Sequence, residues 1–382
     1  MNESAKGRDK TDEFLADPLL FSRNGSDPLF SDYIFGSRNF FTSDCSLAKM
    51  VLQSGSESFS GKIGNRVVAA ELFGTSVLYE DGHAHKKLRN ALSPLFRSKK
   101  TDISEVVYSF LQRNKYHCRE IARSNLHFFF QILSLQITLA YFNHQIESEF
   151  RAAKLVILID RLSKGLFVNE AKRDEDHVYR SARKARNVLI RQTMIPKSSP
   201  IAIALRTAGF DDNVILDQII TLMFAGVDTM SATLTWALGK LTNHQDHRLS
   251  PRDAVHQCLV ERPPVYFIPR GAAKAATIHD KTIEPGEVVN IMISSLHKKL
   301  EQGEGMFLPY GMGVKKCPGQ SFSLMVMDEL LSELTRNFTV TLTGGNLNKA
   351  AFVPGQRPAE PPSLKLQPRK LAKISDNQNS VT

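Results

Sequence analysis

Apolar residues recur at three- and four-residue spacing through Ile103–Gln112, Leu126–Phe142, Glu147–Leu162 and Val178–Met194, which predicts amphipathic helices over most of residues 48–210. The next segment differs. Asp211 and Asp212 offer an N-cap, and the run from Val214 to Leu238 is then almost free of charge apart from Asp217 and Asp228. A helix apolar on nearly every side must cross the middle of a large domain. Gly226 lies inside it, where glycine costs about 1 kcal/mol relative to alanine, so something other than helix stability placed it there. Short β-type runs occur at Tyr33-Ile34-Phe35 and Phe40-Phe41-Thr42, and residues 265–294 turn to strand and turn, with a turn at Glu284–Glu287 and a β-run from Val288 to Ile293. A last helix is expected from Pro318 to about Arg336, followed by the β-type Phe338–Leu342. The pattern is mainly α within an α+β class. Residues 1–30 read as a polar arm, 31–370 as a single domain and 371–382 as a disordered tail, in a chain that is Pro-rich and polar from Gly355 onward. There is no internal repeat.

Composition narrows the class. Of 382 residues, 42% are hydrophobic and 23% charged, as in a globular protein with a large core. The most apolar run, Leu126–Phe142, carries His127, Gln131, Ser134, Gln136 and Thr138, which predicts a buried helix rather than a membrane span. The polar start, MNESAKGRDKTDEF, has no signal-peptide pattern, and localisation is expected to be cytoplasmic or peripheral to a membrane. The net charge of +10 favours acidic partners, but no nucleic-acid module accompanies it, so nucleic acid is not expected as a partner. The basic segment Arg180–Arg191 reads as a solvated helix face. Cys45, Cys118, Cys258 and Cys317 lie far apart, which argues against a disulfide framework or a zinc site.

One cysteine stands out. Phe307-Leu-Pro-Tyr310-Gly-Met-Gly313-Val-Lys315-Lys316-Cys317-Pro318-Gly319 sets Cys317 among glycines and prolines just before an amphipathic helix. Pro318 suits a first helical turn, and unpaired amides, the helix dipole and two lysines would all lower the thiol pKa. Three readings stand on chemistry alone: a buried structural cysteine, a nucleophile for which no histidine is close in sequence, and a ligand to a metal already held by a cofactor, with haem the leading case.

The loop resembles the haem-binding loop of the cytochrome P450 family, F-x-x-G-x-R-x-C-x-G, with Gly313, Cys317 and Gly319 in register, Tyr310 for the usual Phe and Lys315 for the usual Arg. Ala225-Gly226-Val227-Asp228-Thr229 resembles the family's A-G-x-D-T, and Gly82–Arg89 its helix C entry, with His85 and Arg89 at the positions that reach a haem propionate. Arg270 follows Pro263-Pro264-Val265 as the family's arginine follows P-P-V. The resemblance runs from about residue 30 to 370. It implies haem b with Cys317 as axial thiolate to the iron, propionates held by His85, Arg89, Arg270 and Lys315, and a distorted central helix over the distal face. Thr229 and Asp228 would manage protons there, with Ala225 and Gly226 forming the oxygen groove. His83-x-His85 could instead be a metal pair, but no third ligand is close.

The chain also departs from that family. Its E-x-x-R is missing, with Gln257 and Val260 at those positions and Glu261-Arg262 adjacent rather than three apart. The chain is short around His247–Ser250, and after His297 the usual meander is replaced by Lys298–Gly305. Losing a whole buried ion network is less harmful than stranding one charge, yet the proximal face is expected to be less rigid. The expected activity is an oxidoreductase: a haem monooxygenase placing one oxygen atom of O2 into an apolar substrate near Phe224, Ala225 and Tyr266–Ile268, with electrons from an NADPH-dependent reductase or a ferredoxin. Lys315 and Lys316 suit docking of an acidic donor. The alternative is an inactive relic of the fold that binds haem weakly or not at all.

Overall fold

A computed structural model of the chain describes residues 8–22, 27–97, 100–113, 125–144, 146, 148–243 and 249–369. Cys118, the His247–Arg248 link, the first seven residues and the 371–382 tail fall outside them.

The polar amino-terminal stretch is not the loose arm expected from its composition. Thr11–Ala16 forms helix α1 and Pro18–Ser22 a 3-10 turn. Phe14 and Phe21 are buried with Ile34, Phe41 and Tyr266, and the Phe14 and Phe21 rings meet edge to face at 5.3 Å. Two aromatic anchors outweigh the polar residues between them. The hairpin β1 (Phe30–Ile34) and β2 (Ser37–Thr42) follows, then α2 (Cys45–Gln53), β3 (Phe59–Ser60), α3 (Gly61–Gly64), α4 (Arg66–Phe73) and α5 (Gly82–Leu92).

The helical half continues with α6 (Lys100–Arg113), α7 (Leu126–Tyr141), α8 (Glu149–Lys164), α9 (His177–Gln192), α10 (Pro200–Thr207) and α11 (Asp212–Asn243). Asn125, Ser148, Asp176 and Ser199 cap α7 to α10 by accepting from backbone N–H groups, as short polar side chains do at N-caps. In α9 the buried residues are Tyr179, Ala182, Ala185 and Leu189, which leaves most of its basic residues toward solvent. Burial of α7 is nearly complete from Leu126 to Leu139, as expected of a core helix.

Asp211 accepts from the Val214 N–H at 3.0 Å and starts α11, which has 32 residues. Its length and composition would suit a membrane span, and here it forms the core of the fold. Ile215, Ile219, Ile220, Met223 and Val227 pack into one apolar cluster with α4, α8 and α9, while Met230, Leu234, Trp236 and Leu238 pack into a second with α6 and later elements. Its hydroxyls do not go unpaired. Thr229, Thr233 and Thr235 each donate to the carbonyl four residues back, at 2.7, 3.1 and 2.6 Å.

After α12 (Pro251–Glu261) come β4 (Phe267–Ala272), β5 (Ala276–Ile278), β6 (Lys281–Ile283), β7 (Val288–Met292) and α13 (Ile293–Lys298). Ile293, read as strand from its β-branched run, already belongs to α13. The main sheet has the order β1-β2-β7-β4-β3, parallel only between β2 and β7. Central β7 is buried at all five residues, and it sets Arg270 opposite Val289. The last long helix, α14, spans Gln320–Asn337, so Pro318 stands in the turn before it rather than in its first turn. It buries Phe322, Val326, Leu330 and Leu334, one stripe at helical spacing. β8 (Phe338–Thr343) pairs with β11 (Ser363–Pro368), and β9 (Asn346–Ala351) with β10 (Arg357–Glu360). The Pro-rich stretch beyond Gly355 therefore holds two strands, with Leu364 and Leu366 buried on one face of β11.

Candidate functional site

The loop before α14 is shaped by glycine. Gly311 and Gly313 take φ values of 67° and 71°, and a Cβ on Gly313 would sit 2.3 Å from the Leu52 carbonyl oxygen. The Cys317 N–H donates to the Tyr310 carbonyl at 2.9 Å and closes the loop. The side chain of Cys317 keeps accessible surface, and that surface opens onto an internal cavity of about 460 Å³. Burial pushes the thiol pKa above its ordinary value, while the Gly319 amide, Arg89 and Lys316 pull it down without prevailing. The lowered pKa expected from the sequence is thus not a property of the protein alone. The helix begins three residues too late to act at full strength, and desolvation outweighs the nearby positive charge.

Cations gather on the same cavity wall. Arg270 is buried on β4, and the one hydrogen bond recorded for its guanidinium goes to the neighbouring Pro269 carbonyl, at 2.9 Å. Burial lowers its pKa to about 10, with Asp81 opposing. Arg89, on α5, is likewise lowered by burial, with Cys317 opposing. His85, one turn earlier, is buried and brought down to about 4 by desolvation first and then by Lys315 and Arg89, so it is neutral. His83 points to solvent on another face, and no cluster of three metal-binding side chains occurs among the described residues.

Lys315 lines the same cavity but is not the surface lysine expected for docking a partner. Its ammonium lies 3.1 Å from Asp81 and donates to the Glu80 carbonyl, and its side chain is only 12% exposed. Burial opposes the ionisation of Asp81, but bonds from Ser60 and the Lys62 amide together with Lys315 hold its pKa below the usual carboxylate range. Lys315 therefore already has an anion and is not a surface lysine free to meet a partner; Lys316 remains exposed. Tyr310 lines the cavity, and its hydroxyl accepts from Ser323 at 3.1 Å.

From α11, Ala225, Gly226, Asp228 and Thr229 line the cavity together with Phe224 and the Tyr266–Ile268 segment. The helix is continuous from Asp212 to Asn243 through this stretch. Gly226 has another reason to be glycine: a Cβ there would lie 3.2 Å from the Thr138 hydroxyl of α7. Asp228 is buried, which raises its pKa. Gln131 donates to its Oδ1 at 2.9 Å, and its Oδ2 has no protein partner.

Where the family's ion network is missing, a histidine stands. His297, at the end of α13, is 2% exposed. The Leu308 N–H donates to its Nε2 at 2.8 Å, which fixes the ring proton on Nδ1, and Nδ1 in turn lies 3.1 Å from the Val260 carbonyl. One neutral ring thus ties the end of α12 to the start of the cysteine loop. Phe307 lies between His256 and His297, with ring centroids 5.0 and 5.2 Å away. Gln257 is solvent-exposed, Glu261 pairs with Lys240 at 2.8 Å, and Arg262 lies over Trp236, so none of them is a stranded buried charge. This link joins two segments on either side of the missing ion network. In the sequence its one trace was a histidine ending the apolar run Val288–Leu296.

The residues present fit a haem. A thiol faces a mostly apolar cavity across glycines that leave backbone room, and two guanidiniums, Arg89 and Arg270, lack a carboxylate among the described residues. Comparison with known proteins agrees. The family model described as Cytochrome P450 matches residues 119–262. Cytochrome P450 135A1 of Mycobacterium tuberculosis is 22% identical over 76% of this chain and 76% of its own length. Cytochrome P450 137 of the same organism is 28% identical, but over only 33% of this chain and 32% of that protein. Among solved structures, the retinoic acid-bound cyanobacterial CYP120A1 superposes with a TM-score of 0.70 at 18% identity, covering 93% of this chain and 97% of that one. The helix-dominated fold is that of the cytochromes P450, and the cysteine loop and these relatives make the chain similar to that family.

Proposed function

We propose that this protein is a haem-thiolate monooxygenase that places one atom of dioxygen into an apolar organic substrate, with electrons from a separate reductase or ferredoxin. One observation carries the reading: Cys317, Arg89, Arg270, Asp228 and Thr229 line a single cavity although they come from four distant parts of the chain. Haem, when bound, supplies the activation of dioxygen. Cys317 would be the residue that binds its iron, and metal binding would itself deprotonate the thiol that burial keeps neutral. Arg89 and Arg270 would each answer one propionate, which relieves two desolvated guanidiniums, while neutral His85 offers a hydrogen bond rather than a charge.

On α11, burial raises the Asp228 pKa above the usual carboxylate range, and its Oδ2, which has no protein partner, is the atom through which a proton would be held and released. Thr229, whose hydroxyl donates to the Ala225 carbonyl at 2.7 Å, lines the same cavity and would receive and pass that proton. Phe224, Tyr266 and Phe267 exclude water from the same space.

The experiment is a carbon monoxide difference spectrum of the reduced protein. A thiolate-type Soret band, lost in Cys317→Ser, supports the enzyme. A second reading, a member of the fold that no longer holds haem, is favoured by Gln257 and Val260 at the positions of the family's Glu and Arg. Absence of the band after haem reconstitution would decide for it.

A further inference from the structure

The cavity holds one cation more than a haem accounts for. Arg66 opens α4 with φ 62°, in the left-handed region that a long side chain occupies only when its surroundings hold it there. Arg66 is among the residues lining the central cavity, and its guanidinium donates to the Val168 carbonyl at 3.0 Å and to the Leu166 carbonyl and lies 4.2 Å from the centre of the Phe35 ring. All these partners are neutral. The nearby carboxylate of Glu170 instead accepts from the Val67 N–H at 3.1 Å, and no carboxylate is bonded to Arg66 among the described residues. Burial lowers its pKa to about 10, well above neutrality, so the charge remains.

A count of charges on the cavity wall gives the excess. Lys315 is paired with Asp81, and on the haem reading, on which this inference rests, Arg89 and Arg270 meet the two propionates. Arg66 is left over. Phe35 and Leu166, which its guanidinium meets, line the same cavity as Phe167, Val77 and Leu78, with Asn39 and Asn65 as polar members. A desolvated guanidinium beside an apolar chamber stabilises one kind of guest above others, an anion with a long apolar body, because the fork of N–H donors suits a carboxylate and water is scarce.

We propose that the substrate is a long-chain carboxylic acid, its carboxylate bonded to Arg66 and its chain lying along the apolar wall toward α11. The rival is that Arg66 serves only as a latch between α4 and the Leu166–Val168 turn.

Equilibrium dialysis of radiolabelled tetradecanoic acid and of its methyl ester against the full-length haem-loaded protein separates the two. The acid should bind at least about tenfold more tightly than the ester, the scale of one charge-assisted hydrogen-bonded pair. Arg66→Gln should remove that preference and leave ester binding unchanged, while Arg66→Lys, which keeps the charge and loses the fork, should retain part of it. Equal binding of acid and ester by the unaltered protein would overturn the proposal without any variant. An Arg66→Gln protein that keeps the full preference, or that loses acid and ester alike, would also overturn it. Failure of the haem reading is visible separately, as a missing thiolate-type Soret band in the reduced, carbon monoxide-treated protein before dialysis.

Discussion

The cysteine wall and the α11 wall of the cavity are held by different means. The cysteine wall is loop, pinned at a few points: glycines with no room for a Cβ, the Cys317-to-Tyr310 bond, and His297 joining Val260 to Leu308. The α11 wall is a long helix packed against α7, with the Thr229, Thr233 and Thr235 hydroxyls each bonded to one of its own carbonyls. A wall pinned at few points is disabled by a single loss, whereas one supported along its length yields gradually. This family's usual pin is ionic. Here it is a neutral ring, which costs less to bury than a pair of charges.

That contrast can be broken at its weakest point. His297→Ala should destabilise the protein by about 2–4 kcal/mol, because it strands a buried N–H and a buried carbonyl and leaves a cavity. Denaturant titration would read the loss, and haem occupancy should fall with it. An unchanged midpoint would mean the loop is held elsewhere. On the other wall, Asp228→Asn should keep fold and haem occupancy, since Gln131 still finds an acceptor, and lower turnover by about 100-fold through loss of the proton donor. Equal loss of stability in the two variants would erase the distinction between the walls.

A separate effect is set by pH. His127 is brought down to about 3, and His144 and His297 are lowered, all chiefly by burial. Each is neutral when folded and protonates near pH 6.5 when unfolded. Stability is therefore whole above about 6.5 and falls as the pH drops below it, by at most about 1.4 kcal/mol per pH unit for each histidine until its folded pKa is reached. Urea midpoints measured from pH 7 to 5 should show this slope, and His297→Gln should make it shallower. A flat profile would contradict the burial of these rings.

The elements and the residues of the cavity were legible where local pattern governs. Helical spacing located α7, α8, α9 and α11, and the residues around Cys317, Ala225 and Arg270 resembled motifs whose members the fold does bring to one cavity. What could not be read was decided across the chain. Phe14 and Phe21 look like isolated apolar residues until β1, β2 and Tyr266 close over them. Lys315 reads as a free surface charge until Asp81 is found beside it. Three effects argued for a low thiol pKa at Cys317, and desolvation, invisible in a sequence, exceeded them. His297 carried no motif, because its work is done by backbone groups of residues whose identity matters little.

The length of α11 has a mechanical outcome. At about 1.5 Å per residue its 32 residues reach roughly 48 Å, and its first half belongs to one apolar cluster while its second half belongs to the other. The two clusters are thus spliced on a common rod. Neither can dissolve without exposing an apolar flank of the rod that anchors the other, and damage to either should travel along it, so that this chain melts as one cooperative body rather than in halves.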